Sequence, residues 1–222
     1  MARARIVLGG KPVWATCDGE DLIVGSQRIP FAAAQFLPPV ETPSKIVAIH
    51  LNYRSRVEEY GARLPESPSY FLKPPSSLSA HGAPVARPRG CRFLNYEGEI
   101  ALVIGRRCRG VGLDEAERAI AGLTIANDWG LHDFRHADRG SMLRVKGLDG
   151  YCPLGPVLVE PHEVDFSQLT LTTYRNGQVV QHARVADDLL FSFEYLIADL
   201  SRLITLEPGD VILTGTPANS RP

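Results

Sequence analysis

Apolar positions along this chain recur mostly in runs of strand length, and only one stretch shows a clear helical period. Residues 5 to 30 read as short strands, Arg5–Leu8, Pro12–Thr16 and Leu22–Val24, broken by Gly9-Gly10 and Asp18-Gly19. Phe36-Leu37-Pro38-Pro39-Val40, with Pro43 close behind, predicts an extended linker, because proline fixes φ and lacks an amide donor. Ile46-Val47-Ala48-Ile49 is then a continuous apolar run, the pattern of a buried strand. Residues 52 to 69 are polar and charged and predict a surface loop or short helix.

Further strands are predicted at Ile100–Ile104, Leu123–Ala126, Pro156–Glu160, Leu169–Tyr174, Gln178–Val180 and Val211–Thr214. Asn176-Gly177 between two of them is a hairpin signal. A short helix is predicted over Asp114–Ala121, with an acidic first turn and Gly122 as its stop. A stronger one spans Ser192–Ile204, where Phe193, Leu196, Ile197, Leu200, Leu203 and Ile204 share a face and Ser192 supplies the cap. Strands outweigh helices without a regular β-α-β alternation. The pattern therefore predicts an α+β, mainly β fold: a small N-terminal β segment over residues 1–42, then a main domain over residues 43–222.

Composition narrows the partners. Lys and Arg total 24 against 25 Asp and Glu, a net charge of −1, so no basic footprint for nucleic acid or an anionic membrane is present. No apolar stretch approaches the ~20 residues of a membrane span, and Ile6-Val7-Leu8 is too short for a signal-peptide core. Cys17, Cys91, Cys108 and Cys152 lie far apart with no C-x-x-C pair, which fits neither a zinc site nor a disulfide framework. Reduced thiols in the cytoplasm are the simplest account.

The candidate chemistry starts at Asn95-Tyr96-Glu97-Gly98-Glu99, directly before an apolar run. Residues i and i+2 of a strand share a face, so Glu97 and Glu99 sit side by side. Taken alone the pair reads more readily as two solvated glutamates on an exposed edge, and the residues that follow in the chain reverse that preference. Crowded carboxylates raise each other's pKa unless a cation lies between them, and an oxygen-rich pair suits Mg²⁺, Mn²⁺ or Ca²⁺. Asp128, after Leu123-Thr124-Ile125-Ala126-Asn127, is placed at a strand end to add a third oxygen ligand, or else to cap the next turn. Lys146, with Arg135, Arg139 and Arg144 nearby, is suited to a substrate carboxylate or a developing oxyanion. In Thr214-Gly215-Thr216-Pro217, glycine admits close backbone approach and threonine adds a hydroxyl, which suits a carboxylate and equally an ordinary strand end. The histidines form no triad; His132, four residues after Asp128, is the one that stands out.

Read in order, Asn52-Tyr53, Phe71-Leu72-Lys73-Pro74, Tyr96-Glu97-Gly98-Glu99, Gly105-Arg106, Ala126-Asn127-Asp128, Lys146, Pro153-Leu154-Gly155-Pro156, Asn176-Gly177, Pro208-Gly209-Asp210 and Thr214-Gly215-Thr216-Pro217 make a pattern. Over roughly residues 45 to 217 the chain resembles the fumarylacetoacetate hydrolase superfamily, and within it the bacterial enzymes of homoprotocatechuate breakdown, which decarboxylate and isomerise unsaturated 2-oxo diacids. The resemblance implies a mixed β-sheet roll, usually a homodimer, acting on a small-molecule 2-oxo acid. It implies that Glu97, Glu99 and Asp128 bind Mg²⁺ or Mn²⁺, with Ca²⁺ as a further candidate. It also makes Lys146 the active-site lysine and gives the substrate carboxylate to Gly215 and Thr216.

The departures bear on the reaction. Hydrolases of the family carry His and Glu three residues apart after the Asn-Tyr pair, where they activate water. Here Arg56 stands at the histidine position and Glu59 is retained. Arginine stays protonated and is no general base, but it suits bidentate binding of a second substrate carboxylate. The family's arginine after the metal aspartate is His132 here, and Arg135 falls at a nearby substrate-contacting position. The family's closing strands beyond Thr-Gly-Thr-Pro are missing from a sequence that ends at Ser220-Arg221-Pro222. These features favour decarboxylation or isomerisation through a stabilised enolate, with Glu59 as the proton carrier. An acylpyruvate-type hydrolase, an oxaloacetate decarboxylase or tautomerase, and a catalytically silent scaffold of the same fold remain as alternatives.

Overall fold

The N-terminal stretch is an antiparallel meander of β1 (Arg3–Leu8), β2 (Lys11–Asp18), β3 (Asp21–Val24) and β4 (Gln27–Pro30), and β5 (Gln35–Leu37) returns to pair with β1. The protein is seen here as a computed structural model in which residues 1–220 are described. The strands that follow are β6 (Ile46–His50), β7 (Ser69–Lys73), β8 (Leu78–Ala80), β9 (Leu94–Asn95), β10 (Gly98–Ile104) and β11 (Ile120–Asn127). Then come β12 (Gly130–Leu131), β13 (Cys152–Leu154), β14 (Val157–Leu158), β15 (Thr170–Arg175), β16 (Gln178–Arg184) and β17 (Val211–Leu213). Helices are few: α1 (Arg54–Tyr60), α2 (Leu113–Glu117), α3 (Arg135–Asp138), α4 (Leu143–Lys146), α5 (Val185–Asp188) and α6 (Phe193–Leu203). The mainly β class is as the strand-length runs predict, and no helix among the described residues is long and apolar enough to cross a membrane.

The central sheet runs β7-β6-β17-β10-β11-β13-β8 and is mixed, with β17·β6 and β13·β8 parallel and the other pairs antiparallel. β10 is buried along its whole length, because both faces of the sheet are covered. Side chains alternate across a strand. Ile100, Leu102 and Ile104 therefore pack with Leu196, Ile197 and Leu200 of α6, while Ala101 and Val103 join Ile46, Ala48, Val211 and Leu154 on the other side. Ser192 caps α6, its hydroxyl accepting the Tyr195 N–H at 3.4 Å.

The short strand β14 pairs with β1, so the N-terminal sheet takes a strand from the middle of the chain. The Phe36 linker is in part a strand: β5 places Gln35–Leu37 beside β1 and packs Phe36 against the small core of Ile6 and Leu22, and the prolines follow it. The helix expected over Asp114–Ala121 stops at Glu117. Ile120 and Ala121 belong to β11, since one helical turn is marginal in water and Ile120 instead pairs opposite Ile104 and buries its side chain. Asn176 and Gly177 both have positive φ, 51° and 78°, as a two-residue hairpin of the primed type requires. β16 then continues to Arg184, beyond the Val180 read from the sequence. Leu196→Ala is expected to cost about 2–5 kcal/mol of unfolding free energy, and Leu203→Ala, at an exposed position of the same helix, about 0.5 kcal/mol or less. Chemical denaturation of both variants checks this, and equal losses would contradict the packing of α6 described above.

Candidate metal centre and active site

Strand register builds the centre. Gly98 of β10 lies opposite Asn127 of β11, which sets Glu97, Glu99 and Asp128 at neighbouring strand ends. The Asp128 N–H donates to the Glu97 carbonyl at 2.8 Å, and the Glu97 N–H donates to Asn127 Oδ1 at 2.8 Å. One carboxylate oxygen from each acid lies within 4.8 Å of the others. The glycine between the glutamates is required by space, because a Cβ on Gly98 would stand 2.1 Å from Thr173 Oγ1.

Two lysines neutralise much of this charge. Lys146 reaches Glu97 Oε2 at 2.7 Å, Asp128 Oδ2 at 2.9 Å and the Asp128 carbonyl at 2.7 Å. Lys73, on β7 and 1% exposed, donates to Asp128 Oδ1 at 2.6 Å and to the Lys146 carbonyl. Burial works against the charge on Lys146, but Asp128 and Glu97 outweigh it and hold its pKa above the ordinary lysine value. Burial likewise opposes ionisation of Glu97, while Lys146, His132 and Arg56 prevail and keep its carboxyl below the usual range. Glu99 goes the other way. Burial, then the charges of Asp128 and Glu97, push it well above the ordinary glutamate value. Its Oε2 accepts the Gly215 N–H at 2.6 Å.

The centre opens into a cavity of about 780 Å³ lined by Arg56, His132, Arg135, Lys146 and Thr216 beside the three acids. Arg56 is 3% exposed on α1 and donates to Glu59, to Tyr60 Oη at 2.9 Å and to Glu97 Oε1 at 3.5 Å. Arg135 donates to the same Tyr60 oxygen at 3.2 Å, and both guanidiniums lie over the Tyr60 ring, at 4.5 and 5.2 Å from its centroid. His132 Nε2 stands 3.7 Å from Glu97 Oε1.

Glu97, Glu99, Asp128, Lys146, Arg56, His132, Arg135 and Thr216, each given a role from the sequence, line this one cavity, while Glu59 and Gly215 stand in less direct positions and Arg139 and Arg144 do not line it. Glu59 is held by Arg56 and does not line the cavity. Gly215 does not line it either, and its N–H is committed to Glu99. Gly215 has φ +94° and would bring a Cβ to 3.0 Å from that of Asn52. Asn52 in turn donates to the Thr214 carbonyl at 2.9 Å and accepts the Phe191 N–H at 2.9 Å, so Asn52 is a brace for the turn. Lys73, His50 and His136 were not reached by reasoning on the residues. The one signal for Lys73 was its place in an otherwise apolar strand, where Leu72 proves exposed and Lys73 buried. His50, its ring tilted at 31° against that of Phe71 with centroids 4.7 Å apart, carries no such signal.

Residues 45–222 match the family model described as fumarylacetoacetate (FAA) hydrolase, C-terminal. The chain belongs to the fumarylacetoacetate hydrolase family. It is 36% identical over 217 residues to the 4-hydroxyphenylacetate degradation bifunctional isomerase/decarboxylase of Salmonella dublin, covering 97% of this chain and 49% of that protein. An uncharacterized protein of Archaeoglobus fulgidus is 40% identical over 98% of this chain and 84% of its own length. The solved 5-carboxymethyl-2-hydroxymuconate delta-isomerase of Mycobacterium smegmatis superposes with a TM-score of 0.87 at 36% identity, covering 99% of this chain and 88% of that one. The chain thus spans about half of the Salmonella bifunctional protein, and it is an enzyme of the family.

The acids present fit a hard divalent cation. Their oxygens converge in a buried site, and Glu99 Oε1 makes no hydrogen bond among the described residues. Metal ligands must be deprotonated, and burial with the charges of Asp128 and Glu97 makes Glu99 keep its proton to higher pH than an ordinary glutamate, so a cation competes with protons for this acid. Mn²⁺ affinity is accordingly expected to rise with pH up to the raised Glu99 pKa, with protons released on binding. Calorimetry in buffers of different ionisation enthalpy reads this directly, and a binding heat independent of buffer would contradict it.

Proposed function

We propose that this enzyme acts on unsaturated 2-oxo diacids of aromatic catabolism, by loss of CO₂, by isomerisation, or by both, with Mg²⁺ or Mn²⁺ on Glu97, Glu99 and Asp128. The observation that carries the reading is Arg56. It is buried at the cavity wall and tied to Glu59, Tyr60 and Glu97, at the position where hydrolases of the family keep a water-activating histidine. A guanidinium at this position takes no proton from water. The names of the similar proteins from Salmonella and Mycobacterium support the same reading.

The cation, when bound, supplies Lewis acidity to the 2-oxo acid end of the substrate. Everything else is done by side chains of this chain. Lys146 carries a fixed positive charge between Glu97 and Asp128 and stabilises negative charge developing on the 2-oxo oxygen. When the C–C bond to the departing carboxylate breaks, its electron pair moves into the conjugated system and onto that oxygen. Protonation at a different carbon then returns the pair and completes the shift; Glu59 is assigned as the proton carrier and has to turn from Arg56 towards the cavity to act. Arg56 and Arg135, both fixed on Tyr60, hold the remote carboxylate of the diacid. Thr216 faces the cavity from the turn that receives the near carboxylate.

Mass spectrometry of products from a panel of 2-oxo diacids and acylpyruvates, with Mg²⁺ and with chelator, tests the reading. Metal-dependent loss of CO₂ or an isomerised product is expected. Cleavage that incorporates a water would move the assignment to a C–C hydrolase. Glu97→Gln is expected to reduce turnover more than about 100-fold, since changes outside the ligand set already cost ~10–100-fold, and full activity in that variant would refute the site.

A further inference from the structure

Gln181, on β16 and 1% exposed, joins the metal-ligand strand to the Thr-Gly-Thr-Pro turn. Its Oε1 accepts the Gly98 N–H at 3.2 Å, between the two metal glutamates. Its Nε2 donates to Thr216 Oγ1 at 2.9 Å, to the Pro217 carbonyl at 2.9 Å and to the Ala218 carbonyl at 3.2 Å. These partners fix which end of the amide is which, because carbonyls only accept and a backbone N–H only donates. Glutamine is therefore specified here over both glutamate and an apolar residue of its size.

The same contacts settle what Thr216 offers a ligand. Its hydroxyl donates to the Gly98 carbonyl at 2.9 Å, so its one hydrogen is committed while a lone pair receives Gln181. The Gly215 N–H is taken by Glu99. The Thr216 main-chain N–H makes no hydrogen bond among the described residues, and Thr216 lines the cavity. Opposite Gln181 on the hairpin stands Thr173, whose hydroxyl closes the space over Gly98. The β15–β16 hairpin thus clamps strand and turn from behind.

We propose that Gln181 is a positioning residue: it locks the Thr-Gly-Thr-Pro turn onto the strand of Glu97 and Glu99 so that the Thr216 backbone N–H, and not its hydroxyl, meets the ligand carboxylate. The inference rests on the reading that a 2-oxo acid binds at the metal centre. It assigns Gln181 to ligand capture and leaves metal affinity to the acids and lysines.

Calorimetry of oxalate, a dicarboxylate that chelates divalent ions, on the Mn²⁺-loaded protein tests this, together with Mn²⁺ affinity and the unfolding midpoint. Gln181→Met is expected to weaken oxalate about tenfold, the scale of one lost buried hydrogen-bond set, while Mn²⁺ affinity stays within about threefold. Combining it with Thr216→Val is expected to add less than about threefold, since both act on one contact network. Should Gln181→Met fail to fold, Gln181→Glu, which keeps an acceptor for Gly98, is expected to show the same selective loss of oxalate. Loss of Mn²⁺ affinity with oxalate binding at saturating metal unchanged would overturn the assignment and make Gln181 a brace of the strand. A wild-type protein that binds Mn²⁺ but no oxalate would sink the 2-oxo acid reading itself, and the role of Gln181 with it.

Discussion

Three carboxylates within 4.8 Å of one another are the constraint on which the rest of this structure depends. Two like charges 4 Å apart repel by about 4 kcal/mol even at an effective dielectric of ~20. The chain meets that cost with two buried ammonium groups, Lys146 and Lys73, and by holding the Glu99 carboxyl well above the ordinary glutamate range. The antiparallel register of β10 and β11 keeps the acids from moving apart, and the strands are locked in turn by cores on both faces of the sheet. Three carboxylate oxygens held this close by the fold offer a divalent cation its ligands with little rearrangement.

That arrangement also orders the cavity. The acids lie at its floor with Lys146 between them, and positive charge from Arg56 and Arg135 gathers on Tyr60. A substrate with a chelating end and a second anionic end matches this polarity. On the proposed reading, Arg56 and Arg135 anchor charge where a water-activating base would otherwise stand, which suits bond breaking driven by an electron sink better than attack by water.

Much of this was legible in the sequence because the decisive signals are local. The apolar run Ile100–Ile104, the spacing of Glu97 and Glu99, the α6 face and the Asn176-Gly177 turn are each read within a few residues. What escaped depends on pairing between distant segments. Residues 120–121 look helical until β10 offers them a ladder, and Phe36-Leu37 looks like linker until β1 lies beside it. Lys73 and Gln181 are ordinary polar residues in short strands, and only the tertiary fold brings one to Asp128 and the other to Gly98 and Thr216. Propensity is silent on such contacts, since they are made across the sheet and the hairpin.

The measurement that bears most directly on the central claim is an electron paramagnetic resonance titration of Mn²⁺ into the wild-type chain and into Glu99→Gln. A saturable site is expected in the wild type, lost or greatly weakened in the variant, because one of the three converging carboxylates is removed. Equal Mn²⁺ binding by the two proteins would show that the three carboxylates are not a cation site, and the chemistry built on them would fall.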